Sequence, residues 1–141
     1  MSFPIHYLST ITITLILTFT STHLSANEKL NCRSGDDEYS DSLSLEIDKG
    51  KVRAFNYSST VQAFSCDVSA RRGDKNSNWS DADSGKTTKV SFQEGSVLIK
   101  KIGNAYSIQF IDVSHMYHCG MGGQMADQVI ITHEKKECEV R

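Results

Sequence analysis

Leu43-Ser44-Leu45-Glu46-Ile47-Asp48-Lys49-Gly50 is the stretch that decides the fold. Two leucines and an isoleucine alternate with serine, glutamate and aspartate. Only an extended chain sends successive side chains to opposite faces, so the stretch predicts a half-buried strand. Asp48-Lys49-Gly50 then turns the chain, with glycine supplying the positive φ of a tight hairpin. Lys51 to Tyr57 returns as a second strand whose inward face is ambiguous. Val52 and Ala54 point one way, Phe55 and Tyr57 the other. A third strand, from about Val61 to Ala70, carries Phe64, Cys66 and Val68 on one face.

Further along, Thr88, Val90 and Phe92 alternate and Glu94-Gly95 turns the chain. Val97 to Ile102 reads as a mostly buried strand, Gly103-Asn104 turns again, and Tyr106, Ile108 and Phe110 alternate with Ser107 and Gln109. Val129 to Thr132 and Lys136 to Val140 supply the last two strands, and His115 to Cys138 reads as a disulfide-closed strand–loop–strand unit. Between the halves, Arg71 to Lys86 is polar, contains Gly73 and Gly85, and holds the single tryptophan, Trp79; it reads as a long loop. No comparable window repeats its apolar residues with a helical period. The expectation is an all-β, antiparallel meander of short strands that closes as a small barrel or sandwich to hide its edges.

Residues 1–26 read as a signal peptide. Ile5 to Leu24 lack Asp, Glu, Lys and Arg, the centre is apolar, and Leu24-Ser25-Ala26 suits cleavage. The threonines and the short apolar run argue against a membrane anchor, which needs about 20 mainly apolar residues. A single secreted or periplasmic domain, 27–141, is expected to remain. Every charged side chain lies in it, and the net charge is −2. So balanced a surface gives no reason to expect nucleic acid or anionic membrane as partner. Four cysteines in a short secreted chain read as two disulfides. Cys32–Cys66 and Cys119–Cys138 are expected, because each closes a local loop. A zinc site lacks the paired C-x-x-C spacing.

Several residue groups could carry chemistry. Met116, His118, Met121 and Met125, with His115 nearby, offer the soft thioether and imidazole ligands that suit Cu(I). Set against a copper site are the irregular spacing and the glycines between them. Methionines filling gaps around a disulfide loop, with the histidines at the surface, are the better reading. Asp74-Lys75-Asn76-Ser77-Asn78 matches the first side-chain positions of a calcium loop. Trp79 then stands where glycine is required and Gly85 where glutamate is, so a solvated loop is the better reading. Asp81 and Asp83 could serve only a differently built site. Cys119 beside His118 is expected to be oxidised rather than nucleophilic. No G-x-S-x-G turn frames a serine, and Gly120-Met121-Gly122-Gly123 lacks the lysine of a phosphate loop. No enzyme frame and no cofactor is therefore expected. Arg71, Arg72 and Trp79 on or beside the long loop are the residue types that dominate protein interfaces. Asn56-Tyr57-Ser58 and Asn78-Trp79-Ser80 are glycosylation sequons.

In size, leader, paired cysteines and a final cysteine-bearing strand, Glu137-Cys138-Glu139-Val140, the chain resembles the small periplasmic lysozyme inhibitors of Gram-negative bacteria. That resemblance implies a small β-barrel or sandwich that inserts a loop into a lysozyme cleft, commonly through Ser-Gly-x-x-Tyr. Here Ser84-Gly85-Lys86-Thr87-Thr88 comes nearest, with threonine in place of tyrosine. Ser34-Gly35-Asp36-Asp37-Glu38-Tyr39 has the tyrosine one residue late. The expected function is non-catalytic binding of a protein partner, a lysozyme or other cell-wall hydrolase. Ser84, Lys86 and Thr87 would be the direct contacts and Trp79 an apolar anchor.

Overall fold

The computed structural model describes residues 27–141; the leader expected at 1–26 lies outside the described residues. Within them are β1 (Glu28–Gly35), β2 (Tyr39–Asp48), β3 (Lys51–Val61), β4 (Phe64–Arg71), β5 (Asn78–Ala82), a 3₁₀ turn (Asp83–Gly85), β6 (Thr87–Ser91), β7 (Ser96–Ile102), β8 (Ala105–Ile111), α1 (His115–Cys119), β9 (Gln128–Thr132) and β10 (Glu139–Val140). They form two antiparallel sheets, ordered β1-β2-β3-β4 and β10-β9-β8-β7-β6-β5. Each sheet is a meander, with chain neighbours paired in space. The inner faces share one core, in which Leu45, Tyr57 and Val68 of the first sheet meet Val90, Val97, Ile108, Val129 and Ile131 of the second. The all-β antiparallel expectation holds, and two disulfides are present. Neither sheet closes on itself as a barrel.

The hairpin of β2 and β3 is as the alternation of residues 43–50 predicts, with Asp48 opposite Lys51 and Gly50 at φ 76°. Its return strand explains the ambiguous face. The register shifts at Glu46/Ile47, so that Glu46 faces Ala54 but Ile47 faces Val52, leaving Arg53 as an extra residue. Such a bulge reverses which side chains point inward on its two sides. Val52, Phe55 and Tyr57 are consequently all buried. β3 continues to Val61, beyond the expected end, and turns at Gln62, which takes φ 55° without help from glycine.

Along one side the sheets are stitched together. Arg33 of β1 bridges Glu137 in parallel, its N–H donating to the Lys136 carbonyl at 2.9 Å, while the Cys138 N–H donates to the Arg33 carbonyl at 3.2 Å. Cys32 joins Cys138 at this seam, and Cys66 joins Cys119. The expected local pairs, Cys32–Cys66 and Cys119–Cys138, are therefore wrong. The sequence-adjacent elements are not the spatial neighbours: β1 lies against the chain end, and α1 lies on β4. Only Glu139–Val140 of the expected last strand pairs as a strand, with β9.

The expected strand–loop–strand after residue 115 begins instead with a single helical turn. Ser114 caps it, its hydroxyl accepting from the Tyr117 N–H at 3.3 Å. Gly122 and Gly123, which follow, are packing glycines. A Cβ on Gly122 would stand 2.6 Å from the Phe64 ring, and one on Gly123 would stand 2.6 Å from Cys119 Cβ and 2.8 Å from Cys66 Sγ. Tyr57 pins the segment that follows. Its hydroxyl donates to Asp41 Oδ1 at 2.5 Å and accepts from the Ala126 N–H at 2.9 Å. Burial, reinforced by the bond to Asp41, pushes this phenol well above its ordinary range, so it stays protonated and acts as a tie.

Candidate binding site

Trp79 and the residues around it form the first cluster. Residues 78–82, expected as loop, pair with β6 as an edge strand, Trp79 facing Val90 and Ala82 facing Thr87. Trp79 is half-buried against the core, its ring 6.3 Å from Phe55, and its indole N–H donates to Ser77 Oγ at 3.0 Å. The Arg72 guanidinium lies 4.9 Å above the ring. Arg72 also donates to the Val52 carbonyl at 2.7 Å and pairs with Asp81, which in turn accepts from the Thr88 hydroxyl at 2.9 Å. Burial would raise the Asp81 carboxyl, but the bonds from Arg72 and Thr88 and the Arg72 charge outweigh it and hold the group below the ordinary carboxylate range. Arg72 and Trp79 are therefore committed to one another and to the sheet. Arg71 is exposed and paired with Glu46 at 2.8 Å, which lowers that carboxyl and raises the guanidinium.

β5 leads into the second cluster, a tip made by the 3₁₀ turn. Asp83, Ser84 and Gly85 take φ values of 52°, 57° and 90° in succession. A left-handed backbone costs a residue with a Cβ roughly 1–2 kcal/mol, so two such residues in a row persist only where the surroundings enforce them. Those surroundings are visible. The Thr87 hydroxyl donates to the Asp83 carboxylate at 2.9 Å, the Lys86 N–H to the Asp83 carbonyl at 3.1 Å, and the Lys101 N–H to the Lys86 carbonyl at 2.8 Å. Gly85 packs over the Lys51 side chain, where a Cβ would come within 3.3 Å. Ser84 and Lys86 are exposed on this frame, with no side-chain bond to any other described residue. Of the six residues expected at a binding surface, Ser84 and Lys86 are thus available. Thr87 supports the tip, Arg72 and Trp79 are committed to one another and to the sheet, and Arg71 is exposed in a surface pair with Glu46.

At the opposite end of β5 lies a groove of about 810 Å³, between the end of β4, the turn from Asp74 to Asn78, the β6–β7 turn from Ser91 to Glu94, and Tyr117 and His118 of α1. The sequence singled out residues 74–78 only as a partial calcium loop. Here Asp74 Oδ2 accepts the Arg71 N–H at 2.8 Å and closes its own turn. A smaller recess of about 420 Å³ lies beside the Glu46–Arg71 pair and is lined by further charges of both signs, among them Lys29, Asp48 and Arg53.

The Met/His stretch is spread over different surroundings. Met121 is 94% exposed and Met116 69%, whereas Met125 packs on the core. His118 Nδ1 lies 2.9 Å from the Asp67 carbonyl, which can only accept, so Nδ1 carries the proton. His115 is exposed. Among the described residues no group of three or more His, Cys, Asp or Glu is placed to hold a metal ion. No family model, no curated protein and no solved structure matches this chain.

Proposed function

We propose that this is a secreted, non-catalytic binding protein that inhibits a lysozyme-like cell-wall hydrolase through the tip at residues 83–87. The observation that carries the reading is the held, left-handed conformation of Asp83 and Ser84. Strain of this kind accumulates where a segment must present itself in one shape. A tip fixed before binding loses little conformational entropy on docking. Lysozyme-type clefts work with two carboxyl groups. Lys86 supplies a cation and Ser84 a hydroxyl donor to such a pair, and neither is spent inside the protein. Thr87 is taken as support rather than contact, and Trp79 as part of the packing at the start of β5 rather than as an anchor. Two disulfides and a leader-like first 26 residues support an oxidising compartment, secreted or periplasmic.

Lysis of cell-wall suspensions by c-type, g-type and i-type lysozymes, with and without the protein, tests this function. At least one class should be inhibited at micromolar protein. Lys86→Ala should weaken inhibition by about 1–3 kcal/mol in apparent affinity. Undiminished lysis by all three classes removes the proposal.

A further inference from the structure

We propose that the groove between α1 and the turn from Asp74 to Asn78 binds a neutral oligosaccharide. It lies at the far end of β5 from the tip and does not rest on the inhibitor reading. Three rings build one wall outward from the core. Phe92 packs edge-on to Phe55 at 6.3 Å, His118 stands 6.1 Å from Phe92, and Tyr117 stands 5.0 Å from His118. Tyr117, at 77% exposure, ends the row in solvent. The Asp67 carbonyl fixes the His118 ring through Nδ1. Asn76, Asn78 and Gln93 line the same groove. Each carboxamide places a carbonyl acceptor beside an NH₂ donor in one plane. Adjacent sugar hydroxyls are donors and acceptors at once, and the C–H face of a pyranose is apolar, so amides and ring faces together match both sides of a sugar.

Other ligand classes fit less well. The lining holds two carboxylates, Asp74 and Glu94, against one cation, Lys75, so no field favours a phosphate or polyanion. Asp74 is turned to its own loop, and no group of carboxylates among the described residues is placed to hold a metal ion. A wholly apolar ligand would leave the amides unpaired. A peptide adding to the first sheet is blocked at β4, on which α1 lies, tied by Cys66–Cys119, and the amides interrupt the apolar wall a helix would need. A peptide laid along the β5 edge or the ring wall is the competing occupant that the titration decides.

The test is a titration of the purified protein, followed by amide NMR, with tetra-N-acetylchitotetraose, with cellotetraose and with a neutral tetrapeptide. One of the two sugars should give saturable shifts at Asn76, Asn78, Gln93 and Tyr117, little changed by added salt. Tyr117→Ala and Asn78→Ala should each weaken that binding about tenfold, with the spectrum elsewhere unchanged; both side chains lie at the exposed rim, so the fold survives their loss. The inference is overturned if neither sugar shifts these residues at millimolar concentration. Binding of the tetrapeptide alone, or variants that bind the sugar as the parent does, would also overturn it. Lysozyme inhibition is read separately, so either proposal can fail without the other.

Discussion

Arg72 illustrates how one side chain can look like an interface residue in sequence and be a strut in the fold. Its guanidinium joins β3 through the Val52 carbonyl, β5 through Asp81 and the core through the Trp79 face. Arg72→Ala should cost about 2–3 kcal/mol in urea denaturation, because a charge-assisted bond is lost and Asp81 keeps its desolvation without its partner. Arg72→Lys should recover only part, since lysine cannot fork between a carbonyl and a carboxylate. The same pair sets a pH dependence. The folded Asp81 carboxyl lies below its ordinary 3.8, so the unfolded chain takes up the proton first as pH falls. The stability from Asp81 is complete above that ordinary value and is lost as pH drops through the folded one. Asp81→Asn should therefore be the less stable protein at neutral pH, and the gap from the parent should narrow below about pH 4. Ser84 offers the opposite separation. Ser84→Gly removes a left-handed penalty, so stability should hold or rise by about 1 kcal/mol, while inhibition weakens through loss of the hydroxyl.

Among the elements, those with a plain alternation were legible. β2, β6 and β9 stand where the apolar spacing puts them, because each has one buried and one wetter face. β7 and β8 also form where expected, but β7, read as mostly buried, leaves Lys100, Lys101 and Ile102 exposed, and β8 buries Ser107 along with Tyr106 and Ile108. β5 was not legible, since an edge strand with only Trp79 turned inward needs no alternation. β1 carries only Leu30 and Cys32 as inward markers, and a single helical turn such as α1 is too short to display a period. The split face of β3 was visible but could not be resolved, as a bulge is a property of the pair of strands and not of either alone. The tip's residues were named, yet their division into presenting and supporting groups depends on bonds across the turn that spacing does not encode. The glycine run after α1 had a packing cause hidden until α1 was seated on the Cys66–Cys119 bridge. Gly123→Ala should destabilise by about 1–3 kcal/mol, as overpacked sites do. Gly120→Ala, where no atom stands within 4 Å of the new Cβ, carries only the conformational cost of its positive φ.

At the scale of the whole molecule, the two bridges close long loops. Cys32–Cys138 spans 106 residues and Cys66–Cys119 spans 53. Local pairing was the simpler inference from sequence, and it failed because the seam between β1 and the chain end joins the most distant parts of the described residues. In the chain-entropy model the two bridges contribute about 4.8 and 4.2 kcal/mol. Non-reducing peptide mapping should recover both cross-links, and Cys138→Ala should cost at least as much as Cys119→Ala. The tip, the groove and the seam occupy separate parts of this cross-linked body, so a footprint can tell them apart. Amide hydrogen exchange of the protein, alone and with whichever lysozyme class it inhibits, gives the most direct reading. Protection concentrated at residues 83–87, with the groove and the seam unchanged, is the predicted result. Exchange at 83–87 that is the same with and without the hydrolase would contradict the account.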